Sequence, residues 1–315
     1  MPDAAPTAAS VRRPGLGMLG ATSAVVVWGA SSVLIKGVDG LNGLGIACYR
    51  IWLGAAVVTV VFLATGARLS WRLLRLCLLG GITFTADLVL FFVAVQETSV
   101  ANATVIGALQ PVLVLLVASR LFGERSHRAE IGWGAVAVAG TALVVIGGDG
   151  GGANSLRGDL LAVGALVAWT GYFVCSKTAR QHLSAFEYLT GMAIVAAFVV
   201  IPLPLIFSGS LGTTTADGWL TIVYITVING LLGHFLMAFA HGHVTLITLS
   251  LLTLAIPVIA AGTAAIWIDE PLTAVQIGGM VVVLAALGLV SLSAARRNPD
   301  LIEADMEAME AAPHP

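Results

Sequence analysis

Asp87, Arg50 and His234 stand inside long apolar runs, where a charge or a titratable ring needs a reason to be. Asp87 lies near the middle of its run, twelve residues from Arg75 and ten from Glu97. An ionised Asp at the centre of a bilayer costs about 2.5–3.5 kcal/mol on insertion scales. Such a group faces a cavity, pairs with a cation, or keeps its proton. Proton coupling, or charge balance for a cationic cargo, is the chemistry it offers; a structural acid bonded to a neighbouring helix is the plainer reading. His234 sits in another run, and imidazole changes charge between about pH 5 and 8. Asp87 and His234 are therefore the proton-coupling candidates. Arg50 either snorkels to headgroups or lines a vestibule and attracts an anion.

The binding candidates are uncharged. Trp28 and Trp169 lie well inside their runs rather than at the ends, a depth that fits the walls of a cavity where a cargo could stack. Ser32 and Tyr172 follow them in the same runs. Asn229 offers hydrogen bonds near the midplane, to a cargo or to a neighbouring helix. Gln110 precedes Pro111, and Pro257 occupies the equivalent place much later. Each proline lacks an N–H and frees the carbonyl four residues before it, so each is a candidate helix break where backbone meets cargo. Asn102 and Thr104 are weaker candidates in the same region.

These residues need elements to hold them. The 315-residue chain is 58% hydrophobic and only 10% charged, against about 25% charged in soluble domains. Its net charge of -2 argues against a nucleic-acid partner. Cys48, Cys77 and Cys175 have no metal-ligand spacing and cannot all pair. No metal or other cofactor is expected. Apolar stretches of about 18–25 residues cross a bilayer as helices. Ten are expected, at roughly 16–36, 42–64, 73–95, 101–121, 129–147, 158–176, 187–207, 219–240, 244–267 and 273–293. Ten crossings put twelve of the fifteen Lys and Arg on one side. By the positive-inside bias that side, with both termini, is cytoplasmic.

The chain also repeats. Pro111, Glu124 and Gly132 recur as Pro257, Glu270 and Gly278, each 146 positions on. Trp28 and Lys36 recur as Trp169 and Lys177, 141 positions on. Five crossings per copy is an odd number, so the copies face opposite ways, a common plan for secondary transporters. Lys36 and Lys177 read as interfacial anchors. Glu124 and Glu270 read as acids near the start of the next helix, where the dipole favours them.

The stretch from Ser99 to Gly132, SVANATVIGALQPVLVLLVASRLFGERSHRAEIG, resembles the end of an EamA-type domain of the drug/metabolite transporter superfamily. The second copy has Pro257 and then Asp269-Glu270-Pro271; Gly158-Asp159-Leu160 and Trp28-Gly29 are similar to the family as well. The resemblance covers about residues 16–294. It implies an inner-membrane carrier of small organic solutes such as amino acids, metabolites or drugs, often an exporter. The stretch near Gly191 and Met192, which corresponds to the region of Arg50, has no charge.

The expected fold class is an all-α membrane protein of ten transmembrane helices, arranged as two inverted five-helix repeats. Residues 1–15 form a cytoplasmic tail, 16–147 the first repeat, 148–157 a Gly-rich linker, 158–294 the second repeat and 295–315 an acidic cytoplasmic tail. The expected function is secondary active transport by alternating access, proton-coupled or by exchange, in the cytoplasmic membrane. No GxxxxGK[ST] loop is present for ATP drive. The partners are then a small-molecule substrate, the lipid bilayer and protons, for a monomer or homodimer. Two other readings stay open: an intramembrane enzyme using Asp87 and His234, and a non-transporting membrane sensor.

Overall fold

The computed structural model describes residues 13–295, apart from 36–37, 39, 99, 125, 148–154, 208–210, 268 and 270. All but residues 13–15 and 295 of the two terminal tails, most of the Gly-rich linker, Lys36 and Glu270 lie outside the described residues, as do the side chains of Ser32 and Asn102. Within them the regular structure is helical, save an isolated antiparallel bridge between Leu41 and Gly212.

Helix α1 spans Pro14–Ile35, α2 Gly43–Ala64 and α3 Trp71–Glu97. Short polar side chains start several of these elements by accepting a first-turn N–H. Asn42 accepts from Gly45, Ser70 from Leu73, and Ser155 from Gly158. Helix α4 is Val100–Gly107, and α5, Gln110–Phe122, opens after a break at Ala108 and Leu109 with Pro111 in its first turn. Gly123 ends α5 in the left-handed conformation, φ 65°, a shape favourable to glycine. Helix α6 is Arg128–Ile146 and α7 is Leu156–Ala179.

Helix α8 runs Ala185–Val200 and stops before Pro202; a short α9, Leu203–Phe207, follows. The expected continuous run at 187–207 is thus interrupted, because proline cannot donate to the helical ladder. Helix α10, Ala216–Tyr224, passes into a π-helical segment, Ile225–Leu232, and on into α11, Gly233–His241. Helix α12, Leu246–Leu252, continues through a 3₁₀ turn at Thr253–Ala255 into α13, Ile256–Trp267, and α14 is Ala274–Ala295. Among the described residues seven helical runs are long and apolar enough to cross a membrane. The segments Ala185–Val200 and Ala274–Val290 are apolar but shorter.

Helix α3 packs on α7 and α8, α1 on α11 and α13, and α6 on α14. Small residues set the last contact. A Cβ on Gly140 would meet Gly279 O at 3.1 Å, and one on Gly279 would meet Gly140 O at 2.7 Å. Close backbone approach of this kind is how helices associate in lipid, where no hydrophobic force separates protein from tails.

Candidate functional site

A cavity of about 290 Å³ lies where α1, α2, α3, α4 and α7 meet the π segment, α11 and the 3₁₀ turn before α13. Its wall includes Trp28, Arg50, Asp87, Trp169, Asn229 and His234, with Thr104, Thr253 and Pro257. A side pocket of about 40 Å³ shares Arg50, Phe84, Leu88 and His234 with it.

One end of the cavity is an aromatic floor centred on His234. The ring centroids of Phe84 and Trp28 lie 4.9 and 5.0 Å from the imidazole, and that of Tyr172 lies 5.5 Å away. Trp28 and Trp169, the paired indoles of the repeat, meet edge to face at 5.5 Å. Tyr172 stacks on Trp169 and sits behind the wall, its hydroxyl 3.0 Å from His234 Nδ1. Trp28 Nε1 donates to Asn229 O at 3.0 Å. That acceptor belongs to the π segment, whose altered ladder is of a kind often found at functional sites. Gly233 makes the fit possible: a Cβ there would collide with Trp28 Nε1.

The charges stand above this floor. Arg50 is 8% exposed, and its Nη2 donates to Asn229 Oδ1 at 2.8 Å. Its guanidinium carbon lies 5.9 Å from the Phe92 ring centroid, and its buried Nε has no hydrogen-bond partner among the described residues. Snorkelling is therefore excluded: Arg50 lies inside the protein at the cavity wall. Asp87 is half-buried on the same wall, with no hydrogen bond or ion pair among the described residues. His234 is bonded to Tyr172, not to Asp87, so the acid–base couple of the enzyme reading is not assembled here.

Gln110 and Pro111 fall elsewhere. The break at 108–109 turns Gln110 into the helix packing, 1% exposed, where its Oε1 accepts from Thr253 Oγ1 at 3.3 Å. Pro111 is buried beside it. Ser32 lies outside the described side chains.

Beyond the floor is a polar layer that sequence reasoning missed. Ser176 Oγ and His241 Nδ1 are 2.9 Å apart, both buried. Lys177 is 2.9 Å from Glu124, donates to Val244 O at 2.8 Å, and lies over the Phe122 ring. Lys177 is thus an internal ion-pair partner rather than an interfacial anchor. Glu124 takes the N–H groups of Leu246 at 2.9 Å and Ile247 at 3.2 Å. It caps α12 in the other half of the chain, not α6. At α6 the acid on the backbone is Glu130, which accepts from His127 N at 3.0 Å. The signal for the missed pair was spacing: Ser176 follows Tyr172 by four residues and His241 follows His234 by seven, which keeps each on its partner's helix face.

Comparisons with known proteins bear on this geometry. The EamA-like transporter family matches the chain twice, over residues 15–146 and 156–292. A "Probable amino-acid metabolite efflux pump" of Escherichia coli strain K12 is 25% identical over 276 residues, spanning 84% of this chain and 90% of that protein. The "Pseudopaline exporter CntI" of Pseudomonas aeruginosa strain UCBPP-PA14 is 25% identical over 282 residues, 87% of this chain and 95% of that one. The "Threonine/homoserine exporter RhtA" of Salmonella typhimurium strain SL1344 is 25% identical over 266 residues, 84% of this chain and 86% of that one. A solved crystal structure superposes with a TM-score of 0.77 at 20% identity, covering 89% of this chain and 98% of that chain. At that identity the likeness carries the fold alone. With two family matches spanning most of its length and apolar helices long enough to cross a bilayer, this integral membrane protein belongs to the EamA-like transporter family.

Proposed function

We propose that the chain exports amino acids or closely related zwitterions from the cytoplasm by alternating access. The observation that carries this reading is the placement of a cation and an acid, not bonded to each other, on the wall of one cavity. Arg50, its Nε without a partner among the described residues, and Asp87, without one altogether there, line the same space. A carboxylate suits the guanidinium, which recognises that group by a fork of donors. An ammonium suits Asp87 and the indole faces of Trp28 and Trp169. The volume of about 290 Å³ lies at the lower edge of small-molecule pockets, roughly 300–1,000 Å³, which favours an amino acid over a bulky drug. The similarity to an amino-acid metabolite efflux pump and to a threonine/homoserine exporter supports this class.

The proposed frame is ten spans in two inverted repeats, residues 16–147 and 158–294, with tails at 1–15 and 295–315 on the cytoplasmic side. The packing supports it. Exchanging the halves turns the α3–α7 contact into the contact of α1 with the π segment and α11. The same exchange turns α4–α7 into α1–α13 and leaves α6–α14 on itself. In this frame the cavity opens away from the cytoplasm and the Glu124–Lys177 layer seals the cytoplasmic side. Asp87 takes up or gives up the coupling proton, with His234 behind it.

Counterflow in vesicles holding the purified protein tests the reading. Vesicles preloaded with unlabelled L-amino acids should accumulate the labelled ones, and Arg50→Gln should raise the half-saturating concentration. No counterflow with any amino acid sinks the proposed cargo class.

A further inference from the structure

The Ser176–His241 pair lies apart from the cavity and has no part in the function proposed above. It repeats, one layer deeper, the hydroxyl–imidazole arrangement of Tyr172 and His234. His241 comes seven residues after His234 on α11, about 10 Å along the helix at 1.5 Å per residue. Phe173 closes over it at 4.7 Å, and His241 is 2% exposed. Its Nδ1 is engaged by Ser176, while Nε2 is buried with no hydrogen-bond partner among the described residues. An unsatisfied buried nitrogen is costly, and a native one calls for an explanation. The surroundings supply one. From α7 and the residue that ends it the facing charges are Lys177 and Arg180, and on its own helix the titratable neighbour is His234. Glu124 of the α5–α6 turn pairs Lys177, and Glu187 of α8 faces Arg180. Just before α1, Arg13 reaches this end of the bundle through its backbone N–H on His243 Nδ1. Helices α5, α7, α11 and α12 pack on one another in this layer, and Ser176, which engages the imidazole, is next in sequence to Lys177 of the ion pair.

We propose that His241, positioned by Ser176, is a second proton-exchange site on the sealed side of the cavity, wetted only when the Glu124–Lys177 contact parts. The proposal rests on the transporter reading and extends its proton coupling to the opposite face. With Nδ1–H donating to Ser176 Oγ, Nε2 carries the bare lone pair. Water entering through the parted layer delivers a proton to Nε2 and makes imidazolium. That adds a third cation beside Lys177 and Arg180, and like charges favour the separated arrangement. A proton on that side thus holds that side open, a differential stabilisation of one state over the other. Resealing expels the water and requires the proton to leave. Asp87 and His241 then meet water in opposite states of the same cycle.

Two experiments on the full chain decide it. In purified protein, diethylpyrocarbonate followed by mass spectrometry reports which imidazoles meet solvent. Lys177→Gln should raise labelling of His241 severalfold when the reaction is run at about pH 8, where a wetted imidazole is mostly neutral and the reagent can reach the Nε2 lone pair. In oriented vesicles, uptake of a labelled L-amino-acid mixture should vary with pH on the Glu124 side over about pH 5–8. His241→Gln, which keeps a hydrogen bond to Ser176, should flatten that response while the response to pH on the other face persists. Labelling of His241 that does not change in Lys177→Gln overturns the proposal. So does a wild-type pH profile in a monodisperse His241→Gln protein. If the wild-type protein moves no amino acid, the transport reading falls and the labelling result alone decides whether the site is gated.

Discussion

Arg50 of α2 and Asn229 of the π segment are joined by a hydrogen bond of 2.8 Å, Nη2 to Oδ1, across the two halves of the chain. Asn229 faces both ways, because its carbonyl oxygen accepts from Trp28 Nε1 at 3.0 Å. One residue of the second half therefore fixes a cation and an indole of the first. Arg50→Gln should weaken amino-acid binding. Hydrogen bonds to charged groups contribute about 1.5–3 kcal/mol, or roughly ten- to a hundredfold in the half-saturating concentration. Arg50→Lys should recover only part of it, since a single ammonium cannot serve Asn229 and a carboxylate with the geometry of a fork. Equal affinities for the three proteins in counterflow would show that Arg50 is packing alone.

Asp87 makes no hydrogen bond or ion pair among the described residues, so nothing there holds it as a structural acid. If it handles the coupling proton, Asp87→Asn should lose accumulation driven by a pH gradient while exchange at equal pH stays measurable. The measurement is labelled amino-acid flux with and without an imposed gradient. A variant that still concentrates its cargo against a gradient would remove Asp87 from the coupling mechanism.

Much of this arrangement was legible in the sequence, for reasons that differ by residue. Asp87 and Arg50 were conspicuous because a charge in an apolar run is rare. Trp28 and Trp169 stood out through the repeat and their depth. Gln110 misled, because a helix-face argument fails where the helix is interrupted: the turn at 108–109 rotates it towards Thr253. Lys177 and Glu124 read as local features of their own segments, yet their partners lie 53 residues apart in number and Glu124 caps α12, 122 residues on. Sequence spacing carries no information about such contacts. The π segment was not legible either: Asn229-Gly230 marks a weak point within Ile225–Leu232, but no spacing of residues distinguishes a π ladder from an α-helical one.

Gly233 offers a test of the floor without touching a charge. Its missing Cβ is the space in which the Trp28 indole lies. Gly233→Ala places a carbon against Nε1 and the indole must move, although alanine is the better helix former. Overpacking of this kind costs about 1–3 kcal/mol. The expected result is a lower unfolding midpoint in detergent, together with altered tryptophan emission. The same substitution at Gly132, where a Cβ meets nothing within 4 Å, should leave tryptophan emission unchanged and raise the midpoint slightly, by the helix preference alone. A Gly233→Ala protein as stable as wild type would mean that the indole has another comfortable position.

The Glu124–Lys177 contact makes the sharpest energetic prediction. Their side chains are 9% and 13% exposed, and Glu124 also accepts two backbone N–H groups of α12. Removing one partner of a buried pair leaves the other charge unpaired, typically a loss of about 3–5 kcal/mol. Glu124→Ala strips both the pair and the cap, so it should destabilise more than Lys177→Met, which leaves the cap in place. If the pair seals one end of the cavity, Glu124→Ala should also shift the protein towards access from that end. A cysteine placed at Ala240, buried in this layer, should then react faster with a water-soluble maleimide than in the otherwise wild-type background. Destabilisation without faster labelling would make the contact a structural clamp, and faster labelling in Lys177→Met at nearly wild-type stability would identify the ion pair itself as the seal.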